Sequence, residues 1–298
     1  MKEERALLAS LLTRLDRIAR GIEGSLGEGR QRATVPDPPA LDGRAFVWDG
    51  PRGFRAVRRP APVGPDVLTG IDRQRTSFYA NALRFARGLP AHDVLLWGDR
   101  GTGKSSLVCS LTAALPREPL ALLEVPEQRA RDLPRVLDAL GSDSRRWVLY
   151  LDDLSFGRLG SRYRELKVLL EGGLEGRPPN TLVVATSNRR HLVPEAFPPD
   201  GEIHPEESVA ETVSLADRFG LSLGFYPFDE PTYLEAVRRH LACLMTPAPA
   251  GWEAEALRWA MARGIRSGRT ALHAAREIAG RTALRPGGFA LPFPEKTV

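Results

Sequence analysis

Residues Gly98 to Ser106 read GDRGTGKSS: a glycine, four residues, then Gly103, Lys104 and Ser105. The spacing G-x-x-x-x-G-K-[ST] is that of a loop that cradles phosphate. Glycines let the backbone wrap an anion without Cβ clashes, and the positive end of the following helix adds to the field. In such a loop the Lys104 amine reaches the outer phosphates and the Ser105 hydroxyl ligates Mg²⁺, while Arg100, Gly101, Thr102 and Ser106 complete the wall. The flanks suit this reading. DVLLW (93–97) is a short apolar strand, and KSSLVCSLTAAL (104–115) is a helix stopped by Pro116.

Downstream, WVLYLDDLSF (147–156) runs large residues into two adjacent acids, Asp152 and Asp153. Neighbouring side chains on a strand point to opposite faces, so the two acids cannot share a direction while the strand lasts. Asp152 is expected at the strand end, facing Mg²⁺; Asp153 is expected on the turn, where a carboxylate orients and deprotonates water. A further strand, TLVVAT (181–186), leads to Asn188, and its place is expected between the phosphate-loop strand and the Asp strand. An amide there would face the terminal phosphate or the attacking water.

Strand-like and helix-like segments alternate from residue 93 to 226: LALLEV (120–125) and LSLGFY (221–226) complete five strands, with helices near 131–140, 162–176 and 206–218 between them. That alternation predicts a three-layer α/β/α core around a parallel five-stranded sheet. After Pro227 only helical patterns follow, which predicts a small all-helical lid. The expected divisions are 1–55, an amphipathic helix (Leu7, Leu8, Leu11, Leu12, Leu15, Ile18) and a Gly/Pro-rich arm; 56–228, the α/β core; 229–285, the helical lid; and 286–298, a tail.

Composition narrows the function. The only lysines among 42 basic residues are Lys2, Lys104, Lys167 and Lys296, so a lysine in the glycine-rich loop carries more information than any single arginine. The net charge of +5 and pI near 9.5 permit nucleic-acid binding, although scattered arginine also reads as a solvated surface. Two distant cysteines and five scattered histidines support neither a disulfide framework nor a metal site made of protein ligands alone. No apolar run reaches the roughly 20 residues of a membrane helix. A cytoplasmic protein is expected.

The set GDRGTGKSS, LYLDDLSF, ATSNRRHLVPE, LADRFGLSLGFYPF and RSGRTALHAAREIA resembles the AAA+ class of ATPases, and more closely a bacterial AAA+-type family catalogued as a domain of unknown function. The likeness spans roughly residues 40–285. It implies ATP and Mg²⁺ as ligands, a site between core and lid, and assembly into a ring or partial ring. Position by position, Gly98, Gly101, Gly103, Lys104 and Ser105 match the phosphate loop, Asp152 the metal-coordinating acid and Asn188 the polar sensor. Arg218 matches the finger that reaches a neighbour's nucleotide, Arg269 the second sensor that closes the lid, and Leu68 and Ile71 the segment bordering adenine. The broad AAA+ pattern has Glu where this chain has Asp153, shorter by one methylene.

Three functions are open: an Mg²⁺-dependent ATPase that remodels or assembles an unknown protein partner; a nucleotide-gated switch with negligible turnover; and, from the basic pI, a DNA-associated, helicase-loader-like ATPase. The guanine-reading N-K-x-D motif is absent from the sequence, which disfavours a GTPase.

Overall fold

The computed structural model describes residues 43–58, 64–154, 169–170, 176–188, 217–244 and 248–284. The expected N-terminal helix, the linker up to residue 42, most of the helices near 162–176 and 206–218, and the tail lie outside the described residues.

Among the described residues seven strands form one sheet: β1 (Ala45–Trp48), β2 (Phe54–Ala56), β3 (Val94–Gly98), β4 (Leu120–Glu124), β5 (Arg146–Leu151), β6 (Thr181–Ser187) and β7 (Leu221–Phe225). Their order is β2-β1-β4-β5-β6-β3-β7. Every pairing is parallel except β1 with β2. The five strands expected from the sequence are the contiguous run β4-β5-β6-β3-β7, and β6 stands between the phosphate-loop strand and the Asp strand as anticipated.

The two additional strands correct the expectation of a five-stranded sheet. They lie in a segment read as an irregular arm because Gly, Pro and Arg surround them. Within that segment AFVW alternates, with Phe46 and Trp48 buried, and β1 aligns with β4 through Phe46 opposite Leu123. Phe46 and Phe54 close on Trp147 at ring distances of 5.4 and 5.5 Å, so aromatic burial decides against the turn-forming composition of the flanks.

The sheet is buried on both sides, as parallel sheets are. One face carries Leu122, Val148, Val184 and Leu96, packed with Phe78, Ala82 and Phe85 of α1 (Asp72–Ala86) and with Leu107, Val108 and Leu111 from α2 (Lys104–Cys109) and α3 (Leu111–Ala114). The alternate residues Leu149, Leu151, Val183 and Ala185 are equally buried, and α4 (Leu133–Gly141) lies against β6. Each fully buried side chain of this size contributes about 1.5–3 kcal/mol of transfer free energy.

Beyond Phe228 the fold is helical: α5 (Glu230–Leu244), α6 (Trp252–Arg263) and α7 (Gly268–Leu284). Tyr233, Ala236, Val237, Leu241, Ala256, Ala260, Ala271, Ala275 and Ile278 form a second apolar cluster, separate from that of the sheet. Small residues at these contacts allow close helix approach. Backbone hydrogen bonds tie this lid to the core: Phe228 N–H donates to Arg266 O at 2.9 Å, and Arg269 N–H donates to Gly101 O at 3.2 Å. No helix among the described residues is long and apolar enough to cross a membrane.

Candidate functional site

The loop after β3 is shaped by contacts only glycine allows. Gly98 has φ 128°, and a Cβ there would stand 1.9 Å from the Phe225 carbonyl oxygen on β7. Gly101 has φ 77°, and its Cβ would meet Ser267 Oγ and Arg269 Cβ at 3.0 Å, filling the gap between loop and lid. Lys104, 6% exposed, opens α2 and folds back, its Nζ donating to the carbonyl oxygens of Gly98 and Asp99 at 2.7 Å each. Desolvation lowers its pKa to about 8, against the opposing pull of Asp153, Asp99 and Asp152. Among the described residues its hydrogen-bond partners are these two carbonyl oxygens, and a phosphate would add an anionic one.

Across from this loop, the end of β5 leads into the two acids, and the end of β6 brings Thr186 and Asn188 beside them. Asp152 Oδ1 accepts hydrogen bonds from Tyr150 Oη at 2.5 Å, Thr186 Oγ1 at 2.6 Å and Ser105 Oγ at 2.9 Å. Asp153 takes a left-handed backbone with φ 52°, placing it on the turn rather than in the strand. Its N–H donates to Thr186 Oγ1 at 2.8 Å, and its Oδ1 accepts from Asn188 Nδ2. The two acids diverge past the strand end, one bonded to Ser105 and the other to Asn188.

A cleft of about 780 Å³ runs from these groups between core and lid. Leu68, Ile71, Arg100, Gly101, Thr102, Gly103, Lys104, Ser105, Ser106, Asp152, Asp153, Asn188 and Arg269 all line it. Gly98 does not line it; it shapes the loop through its contact with Phe225 and its carbonyl bond to Lys104. Arg218 also lies elsewhere. It precedes β7, whose first residue Leu221 pairs with Val94, whereas the phosphate loop begins at the other end of β3, where Gly98 pairs with Phe225. A strand length of roughly 13–16 Å separates the two levels.

Several lining residues escaped the sequence reading. Arg276 shares a face of α7 with Arg269, two turns on, and His240 and Cys243 come from α5. Burial, followed by the charge of Arg276, holds His240 below the usual imidazole range. Helical spacing from Arg269 could have indicated Arg276, but arginine is too frequent in this chain for spacing alone to single it out. Tyr150 had a clearer signal: it stands two residues before Asp152, the residue that follows β5, which alternation puts on the same side, and a buried tyrosine hydroxyl needs a partner. Burial pushes its phenol far above the ordinary range, followed by the influence of Asp152, so Tyr150 remains a donor to the carboxylate.

The donor set fits a polyphosphate with a divalent cation. Lys104, Arg100, Arg269 and Arg276 supply positive charge, glycine leaves the loop open, and Ser105 with Asp152 forms a hydroxyl–carboxylate pair of hard oxygen ligands.

Solved structures share this architecture. A Thermotoga maritima RuvB variant matches with a TM-score of 0.51 at 18% identity, covering 74% of this chain and 71% of that one. The Aeropyrum pernix ORC1 protein, in a complex with DNA, matches with a TM-score of 0.54 at 18% identity, covering 75% and 63%. With the glycine-rich loop between sheet and helical lid, the fold is of the AAA+ class. Within that class the chain belongs to the family described as protein of unknown function (DUF815), whose profile it matches over residues 42–282. Among curated proteins, none matches this chain.

Proposed function

We propose that the protein is an Mg²⁺-dependent ATPase of the AAA+ type that couples ATP binding and hydrolysis to remodelling or assembly of a protein partner. The observation that carries this reading is the single cleft in which Lys104 and Ser105 face Asp152, Asp153 and Asn188, with Arg269 on the lid side. Lys104 and the loop amides bind and orient the polyphosphate, Ser105 and Asp152 hold Mg²⁺, and Leu68 and Ile71 border the adenine. Bound Mg²⁺ supplies charge neutralisation at the outer phosphates. Asp153 orients water and accepts its proton, and Asn188 holds Asp153 in place. Arg269 draws the lid toward the bound nucleotide. Arg218, remote from its own cleft, serves the site of a neighbouring copy.

Steady-state phosphate release by the purified chain tests the proposal. Release that requires Mg²⁺ and disappears in Lys104→Ala is expected. Absence of Lys104-dependent release at every protein concentration would overturn it in favour of a second reading, a nucleotide-gated switch. One observation favours that second reading: the second acid is the shorter Asp153, and its carboxylate is already engaged by Asn188.

A further inference from the structure

We infer that Thr186 is a positioning residue that holds both acids of the cleft through one hydroxyl, tying the metal-holding role of Asp152 to the water-directing role of Asp153. The inference rests on the ATPase reading above and adds a residue to it.

Thr186 is the penultimate residue of β6 and 1% exposed. A threonine hydroxyl has one proton to give and two lone pairs to receive. Here the proton goes to Asp152 Oδ1 at 2.6 Å, and a lone pair accepts the Asp153 N–H at 2.8 Å. The Thr186 carbonyl oxygen also accepts the Leu154 N–H at 2.8 Å. Three successive residues of the turn, Asp152, Asp153 and Leu154, are therefore bonded to this one residue. Tyr150 and Ser105 also reach Asp152 Oδ1, but Thr186 is the residue that bonds to both acids.

The geometry explains why that matters. A non-glycine residue at φ 52° is held there by its surroundings. The bond from Asp153 N–H to Thr186 Oγ1 anchors the amide at that position, while Asn188 takes the carboxylate. Remove the hydroxyl and the amide loses its partner, the turn relaxes toward ordinary φ, and the Asp153 carboxylate moves away from Asn188. At the same time Asp152 loses one of the donors that fix its orientation. A buried threonine on a strand is otherwise only a good β-former, and Thr186→Val keeps that role while deleting the hydroxyl.

The test compares wild type, Thr186→Val, Thr186→Ser and Thr186→Ala in the full chain. In the nucleotide-free protein, hydrogen exchange of the Asp153 amide is expected to accelerate in Val and Ala but not in Ser. In turnover, Val is expected to lose on the order of 10- to 100-fold in kcat with KM for ATP changed less than about threefold, and Ser to recover most of the loss. The ratio of ATP affinity with Mg²⁺ to that in EDTA is expected to fall in Val and recover in Ser. Should Val fail to fold, Ser against Ala makes the same comparison, since those two differ only by the hydroxyl. Equal exchange and equal Mg²⁺ dependence in Ser and Ala overturn the role of Thr186 and leave the ATPase reading standing. A wild type that binds ATP with Mg²⁺ enhancement but never hydrolyses it overturns the ATPase reading, while the exchange and affinity ratios still decide on Thr186. No binding of ATP by wild type overturns both.

Discussion

Asn188, one residue beyond β6, donates from Nδ2 to Oδ1 of Asp153 on the turn after β5. The amide proposed as a sensor and the carboxylate proposed as a base, which follow two adjacent strands, are thus directly bonded. The bond orients Asp153 but also occupies a carboxylate oxygen that a water would use, so hydrolysis requires the pair to open or to share. Asn188→Ala is expected to lower kcat on the order of 10- to 100-fold while ATP affinity stays within about threefold. Equilibrium binding beside steady-state turnover checks this; a loss confined to affinity would place Asn188 in nucleotide binding instead.

Lys104 gives a pH signature with two opposite signs. Its pKa is lowered from 10.5 to about 8, chiefly by desolvation. Below pH 8 the amine is charged in both folded and unfolded chains. Between about 8 and 10.5 the folded protein releases its proton first, the unfolded chain binds more protons, and this group's contribution to stability rises with pH. ATP affinity moves the other way, because the polyanion prefers the ammonium form. Affinity is expected to be flat to about pH 7.5, then to fall by up to roughly tenfold per pH unit above 8. Lys104→Arg, which stays charged, should bind more weakly overall but with a flatter profile. Titration calorimetry between pH 7 and 9 reads both, and a flat wild-type profile contradicts the assignment.

Gly98 is a prediction about the scaffold rather than the chemistry. Its positive φ and the 1.9 Å approach of a Cβ to the Phe225 carbonyl oxygen mean that any side chain must push β7 away from β3. Gly98→Ala is expected to destabilise by several kcal/mol, above the usual 0.5–3 kcal/mol of a point substitution. It should also impair nucleotide binding, since the Gly98 carbonyl oxygen is one of the two that hold Lys104. Thermal melting of the variant checks it; a change in Tm below about 2 °C would show that the edge strand yields easily.

How much of this was legible in the sequence depended on whether a residue's role was local. The glycine spacing, Lys104 and Ser105 are set by the turn they occupy, and the alternation of strands and helices gave the parallel core. Asp152 and Asp153 separate because the strand ends before them and the turn redirects the second. Thr186 and Tyr150 read as ordinary strand residues, because what distinguishes them is the partner that strand order brings beside them. Arg276 and His240 depend on the packing of α5 and α7 over the loop, which no local pattern reports. The strands β1 and β2 were missed because long-range pairing with β4 and burial against Trp147 outweighed a turn-like composition.

Arg218 supplies the sharpest test of assembly. It sits three residues before β7, roughly a strand length from its own phosphate loop, so it cannot serve the cleft of its own chain without a large rearrangement. If it completes a neighbour's site, Arg218→Ala should bind ATP near normally yet lose hydrolysis, on the scale of the 10³-fold or more that such an arginine contributes elsewhere. Lys104→Ala should fail for the opposite reason, lacking nucleotide while keeping its arginine. A mixture of the two inactive proteins then contains interfaces in which an intact loop faces an intact arginine, and phosphate release should return in proportion to their number. Release that peaks near equal mixing and vanishes on dilution is the expected pattern. Mixtures as inactive as their components, despite forming mixed oligomers, would show that each chain works with its own residues alone.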